Sequence, residues 1–160
     1  MSGTGPSQDT QDQVAVAFRN LMTLREGRKT QVYKDTRELL TVGIGHLVVP
    51  SDNLQLADVI SDDRVNALFA ADSNGALTAA WAQAGQAGIT STDFIPYLAS
   101  VNFQLGNNWT TKFPNTWRMI DDGQYDAAAD ALNGTLWQTQ TPTRVTDFQT
   151  ALRDLPPKVA

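Results

Sequence analysis

Apolar positions along the chain change their period twice. Val14, Phe18, Leu21 and Leu24 recur at helical spacing and Gly27 supplies a stop, so the pattern predicts a first helix at about 13–25. The period then shortens. Gln31–Lys34 and Thr41–Val48 are rich in β-branched residues and predict short strands, with a turn at Asp35–Glu38 between them. Pro50–Asn53 is a loop. Helical spacing returns behind Ser61, a capping residue, with Val65, Leu68 and Phe69. It persists to the end of the chain. Ile95, Leu98, Val101 and Leu105 mark a helix ending at Gly106, and Pro114 stands at the first turn of another. Tyr125–Trp137 predicts one more. Val145, Phe148, Leu152 and Leu155 predict a last, stopped by Pro156 and Pro157. The fold class expected is α+β, a small antiparallel sheet lobe plus a larger, mainly helical lobe. Helix 1 should pack with the C-terminal helices, because so small a sheet cannot cover its apolar stripe.

Composition narrows the function. The 160 residues are 41% hydrophobic, enough for one globular domain, expected over 13–160. Residues 1–12 are polar and small and are expected to form a flexible leader or linker. They lack the basic and apolar segments of a signal peptide, and no apolar run reaches the roughly 18 residues that span a bilayer. No stable membrane association is therefore expected. The absence of cysteine rules out disulfides and thiolate metal sites, and a single histidine, His46, rules out a His-rich one. Neither metal nor cofactor is expected. The net charge of -5 argues against a nucleic-acid partner. It also provides no long-range attraction to an anionic surface.

Candidate chemistry gathers in the early part of the chain. Glu26 closes helix 1 just before Gly27. There it faces the negative end of the helix dipole, which together with partial burial favours the protonated form and suits a general acid. Alone, it would count as a surface glutamate. Asp35 alone would be a turn residue and Thr41 alone a strand former. Together they add a second carboxylate and a hydroxyl. Two carboxylates in unlike surroundings are what glycoside hydrolysis uses, one to protonate the leaving oxygen and one to handle water or attack.

The run from Leu24 to Leu47 carries Glu26-Gly27, then Tyr33-x-Asp35, then Thr41-x-Gly43-x-Gly45-His46. Its spacing resembles that of the phage-type lysozymes. Phe103-Gln-Leu-Gly106, Arg118-Met119, Tyr125-Asp-Ala-Ala128 and Leu136-Trp-Gln-Thr-Gln-Thr-Pro-Thr-Arg144 extend the likeness over about 13–155. The resemblance implies a lysozyme-like fold with an active-site cleft between the two lobes, and cleavage of the β-1,4 bond between N-acetylmuramic acid and N-acetylglucosamine. It implies that Glu26 is the acid and that Asp35 and Thr41 position the water. Leu47 and Phe103 match substrate-contacting positions, as does Thr116, where a familiar relative has serine. Gln104 and Trp137 match residues lining the cleft. Periodicity alone, however, assigns Phe103 and Trp137 to the core. Arg144 matches an arginine beside the catalytic glutamate. His46 is expected to be structural, paired with Asp72.

Two departures from the family stand out. Thirteen residues separate His46 from Ile60, fewer than in the T-even phage member, so part of the sheet lobe is missing. A substrate-contacting asparagine of the family falls on Ala131. The partner implied is bacterial peptidoglycan, met by a monomeric isolated domain. The setting implied is a virion component, or an enzyme held in the host cytoplasm before release. A lytic transglycosylase would dispense with the water-positioning pair. A non-catalytic wall-binding module would have no use for Glu26 at a helix end.

Overall fold

The computed structural model describes residues 5–158. Among the described residues the order is helix α1 (Gln8–Glu26), strands β1 (Lys29–Lys34), β2 (Leu40–Gly43) and β3 (His46–Leu47), then α2 (Asp62–Gln86), α3 (Ile95–Leu105), α4 (Trp109–Lys112), α5 (Pro114–Asp121), α6 (Tyr125–Ala131), α7 (Leu136–Gln140) and α8 (Pro142–Arg153). The chain is α+β, as the periodicity predicts. It divides into two compact units. One is Arg19–Asn74; the other joins the chain up to Phe18 to the chain from Gly75 onward.

The smaller unit is built on an antiparallel sheet in the order β1-β2-β3. The segment expected to be one strand over Thr41–Val48 is two strands. Gly43 and Gly45 have φ of 67° and 70°, a left-handed conformation that turns the chain between them. Val32 and Val42 lie on the buried face, and Ile44, Ile60, Val65, Phe69 and Met22 are buried with them. The shortened return after Pro50 covers the free edge of β1. Val32 donates to the Asp58 carbonyl at 2.8 Å, Ala57 to that of Val32 at 3.0 Å, and Ile60 to that of Thr30 at 2.8 Å. Ser61 caps α2 as expected, its hydroxyl accepting from the Arg64 amide at 3.1 Å.

The larger unit is helical around an aromatic core. Phe148 of α8 meets Trp109 edge-on at 5.7 Å and also packs on Phe94 and Trp137. Phe18 of α1 stacks edge-to-face on Phe103 at 6.3 Å, so the first half of α1 does pack with the later helices. Asn102 and Gln83 are both buried and exchange two amide hydrogen bonds, at 3.0 and 3.1 Å.

Three boundaries differ from expectation. α1 starts at Gln8 rather than 13, because the Ser7 hydroxyl accepts from the Thr10 amide and Gln8 bonds Asp12 one turn on. Residues 8–12 are therefore helical. Residues 1–4 of the expected leader lie outside the described residues. The predicted helix over Tyr125–Trp137 is interrupted by Gly134 at φ 80°, after which Thr135 caps α7 by accepting from the Gln138 amide. α8 stops at Arg153, short of Leu155.

Candidate active site

The turn between β1 and β2 is organised by one residue on each side. The Asp35 amide donates to the Leu39 carbonyl at 2.9 Å. In return, Asp35 Oδ1 accepts from the Leu39 amide at 3.0 Å and from the Arg37 amide at 2.8 Å. Glu38 completes the turn at φ 65°. The Leu39 amide is the chief cause holding the Asp35 carboxyl below the usual carboxylate range. Desolvation opposes it, and the Arg37 amide and guanidinium assist it. Asp35 is thus an ionised acceptor. Its Oδ1 is engaged by the backbone, and its Oδ2 lies 3.5 Å from the Arg37 guanidinium.

Thr41 follows on β2, where it pairs with Tyr33 on one side and Leu47 on the other. All three therefore point to the face opposite Val32 and Val42. Thr41 is buried, and its hydroxyl donates to the Leu39 carbonyl at 3.1 Å. With its proton directed there, the Thr41 oxygen offers lone pairs to anything else that approaches. One backbone unit, Leu39, thus orients both the carboxylate and the hydroxyl. Leu47 is exposed on the short edge strand.

Glu26 is the last residue of α1, and Gly27 ends the helix at φ 83° as the sequence predicts. Its side chain is exposed rather than partly buried, and it lies against Gly45 in the β2–β3 turn. Glu26 falls in the same unit, Arg19–Asn74, as Asp35 and Thr41. α1 passes from one unit to the other after Phe18, so its start and its end have different neighbours.

His46 does pair with Asp72, and it has a second partner that sequence reasoning missed. Its Nδ1 donates to Asp72 Oδ2 and its Nε2 to Asp52 Oδ2, each at 2.7 Å. Ionised carboxylates only accept, so this arrangement requires the doubly protonated imidazolium. Burial alone would push His46 down; the bonds to Asp52 and Asp72 outweigh it and hold His46 above its ordinary value. Asp52 is held below its ordinary value, first by the Val49 amide and then by His46. Asp52 sits in the Pro50–Asp52 turn, where a polar residue is unremarkable. A lone histidine six residues upstream was the available signal.

The other candidate residues lie in the larger unit. Phe103 and Gln104 are half-buried on α3, and Thr116 is buried on α5. Trp137 is also buried and packs on Phe113 and Phe148, as its periodicity favours. Its indole N–H donates to Gln104 Oε1 at 2.9 Å, and Gln104 Nε2 donates to the Thr141 hydroxyl at 3.0 Å, which fixes the amide from both ends. Arg144 donates to the Ser100 hydroxyl at 3.2 Å. Among the described residues no group of three or more His, Cys, Asp or Glu side chains could hold a metal ion, and no helix is long and apolar enough to cross a membrane.

The chain is similar to known proteins over most of its length. The peptidoglycan hydrolase gp36 of Pseudomonas phage phiKMV is 29% identical over 131 residues, covering 82% of this chain and 14% of that protein. The chain thus spans about a seventh of the phage relative's length. Probable T4-type lysozyme 2 of Dictyostelium discoideum is 25% identical over 150 residues, covering 80% of this chain and 88% of that protein. The family described as phage lysozyme matches residues 23–149, from the end of α1 into α8. The chain belongs to the phage lysozyme family.

Proposed function

We propose that this chain is a peptidoglycan hydrolase that cuts the β-1,4 bond between N-acetylmuramic acid and N-acetylglucosamine by a single displacement. Glu26 protonates the glycosidic oxygen as the bond to the anomeric carbon breaks. A water attacks that carbon from the other side and gives up its proton to the Asp35 carboxylate. The observation that carries this reading is the hydrogen-bond polarity around Leu39. The Thr41 hydroxyl spends its proton on the Leu39 carbonyl, and ionised Asp35 has only acceptors. A water between them donates both its hydrogens and keeps a lone pair for the substrate. A direct nucleophile would have no use for Thr41. Leu47, Phe103 and Gln104 are the proposed glycan contacts. Trp137 and Thr116, both buried, would act through their neighbours.

Family membership and the two relatives support the activity class. The length of the phage relative supports a lysin domain that works inside a larger phage protein, reaching the wall by tethering rather than by charge. The test is the product. Fresh cleavage of purified peptidoglycan should yield a reducing muramic end of inverted anomeric configuration by NMR. Retained configuration refutes the single displacement. An anhydro-muramic end makes the chain a transglycosylase and removes the role of Asp35.

A further inference from the structure

The Gly43-Ile44-Gly45 turn contains two glycines that the backbone alone accounts for, since both lie at positive φ. Their surroundings differ. A methyl group added to Gly43 would meet the Val65 side chain at 3.3 Å. One added to Gly45 would stand 2.8 Å from Glu26 Oε1 and 3.6 Å from Glu26 Cβ and Cδ. A Cβ essentially never stands within 3.0 Å of another side chain's atom, so a methyl at Gly45 and the observed position of Glu26 Oε1 cannot coexist.

We propose that Gly45 is a positioning residue for Glu26: its missing side chain sets where the carboxylate stands at the end of α1. The inference rests on the reading of Glu26 as the acid. The atom that would yield is the far end of a flexible side chain, which rotates away more easily than the sheet turn deforms. A Cβ at residue 45 therefore acts mainly on the carboxylate. Proton delivery works only within hydrogen-bond reach of the leaving oxygen, and a displacement of about 1 Å can cost about a hundredfold in rate. The glycine beside the sole histidine thus has two separate requirements, one for the turn and one for the acid.

The two glycines supply their own control. Gly45→Ala and Gly43→Ala strain the same turn in the same way, yet only the first touches Glu26. We expect Gly45→Ala to lower kcat at least about tenfold with KM within about twofold, and to move the basic limb of the pH profile, which reports the acid. Gly43→Ala should keep kcat and that limb near wild type. Equal kcat in the two folded variants overturns the proposal. If either alanine variant fails to fold, Gly45→Asn and Gly43→Asn repeat the comparison, because asparagine tolerates the left-handed region. A thermal-melt cycle reads the contact apart from catalysis. Glu26→Ala should restore part of the melting temperature lost by Gly45→Ala and none of that lost by Gly43→Ala. Absence of this coupling also overturns the proposal. Coupling without an excess loss of kcat is resolved by Glu26→Gln. If that variant is inactive, the positioning role falls; if it is active, the acid assignment falls and the contact stands.

Discussion

The two units solve different problems with different materials. The larger one buries Trp109 and Phe148 almost completely and packs Phe94, Trp117, Phe113 and Trp137 around them. The smaller one contains Glu26, Asp35 and Thr41 and is tied by directional polar bonds: Asp35 to Leu39, Thr41 to Leu39, and His46 to Asp52 and Asp72. Among the described residues, six of the eight exposed large hydrophobic side chains belong to it: Leu24, Leu39, Leu47, Val49, Leu56 and Val59. A three-stranded sheet has too little second face to hide them. Apolar burial thus stabilises the larger unit, while hydrogen-bond geometry shapes the smaller one. Substitutions in the two should therefore fail in different ways.

The largest effect is expected in the aromatic core. Phe148→Ala removes a ring that touches three others and should cost about 3–5 kcal/mol in urea unfolding. Activity per folded molecule should stay close to wild type. A loss of activity in excess of the unfolded fraction would break the division between the units. Next comes Glu26→Gln, which keeps shape and removes the proton. Wall lysis should fall at least about a hundredfold with the fold intact, since the unfavourable placement of a carboxylate at a helix C-terminus disappears with it. Near wild-type clearing by this variant would leave the smaller unit without an acid.

The histidine network offers a smaller effect with a pH signature. Asp52→Asn removes one of the two charges on His46 and should cost about 1.5–3 kcal/mol at pH 5.5, the range for hydrogen bonds to charged groups. His46 is raised in the folded state, so its contribution is complete below about 6.5 and fades as pH rises through the higher folded value. Asp52 is lowered, so its contribution is complete above about 3.9 and fades as pH falls through the lower folded value. The stability difference between wild type and variant should peak between about 4 and 6.5 and shrink on both sides. A difference flat across pH 4–9 would show that the network does not act through charge. The smallest effect is expected of Arg37→Ala. The Leu39 amide, not the Arg37 guanidinium, is the main cause of the low Asp35 value, and Arg37 is well exposed. The acid limb of kcat should move up only slightly and the rate near neutral pH should change by less than about twofold. A large shift would transfer control of Asp35 from the turn to the surface charge.

Much of this division was legible in the sequence. The change of period at Gly27 marked both the end of α1 and the start of the sheet, and the Glu26, Asp35 and Thr41 spacing marked the candidate site, all three residues falling in one unit. What escaped had physical reasons. Asp52 lies in a Pro-Ser-Asp-Asn loop where polar residues are the default, so nothing local linked it to His46. The reciprocal amides of Gln83 and Asn102 come from different helices, and no periodicity announces such a pair. The alanine-rich start of α6 favoured a continuous helix, and only the left-handed Gly134 with the Thr135 cap broke it. The opening turns of α1 carry no apolar stripe, so hydrophobic spacing began too late. Glu26, expected to be partly buried, is exposed at the last position of α1.

The uneven distribution of ring types also gives each unit its own spectroscopic signal. Trp81, Trp109, Trp117 and Trp137 all fall in the larger unit, and His46, the only histidine, falls in the smaller. Intrinsic tryptophan emission therefore follows the aromatic core. The imidazole Hε1 proton resonance, a single line in the whole spectrum, follows the β3 end of the sheet. Without any label, one denaturant series monitored both ways measures whether the two units melt together or in sequence. Coincident midpoints would make the protein one cooperative body. An earlier loss of the folded histidine line would give the smaller unit its own, lower unfolding free energy.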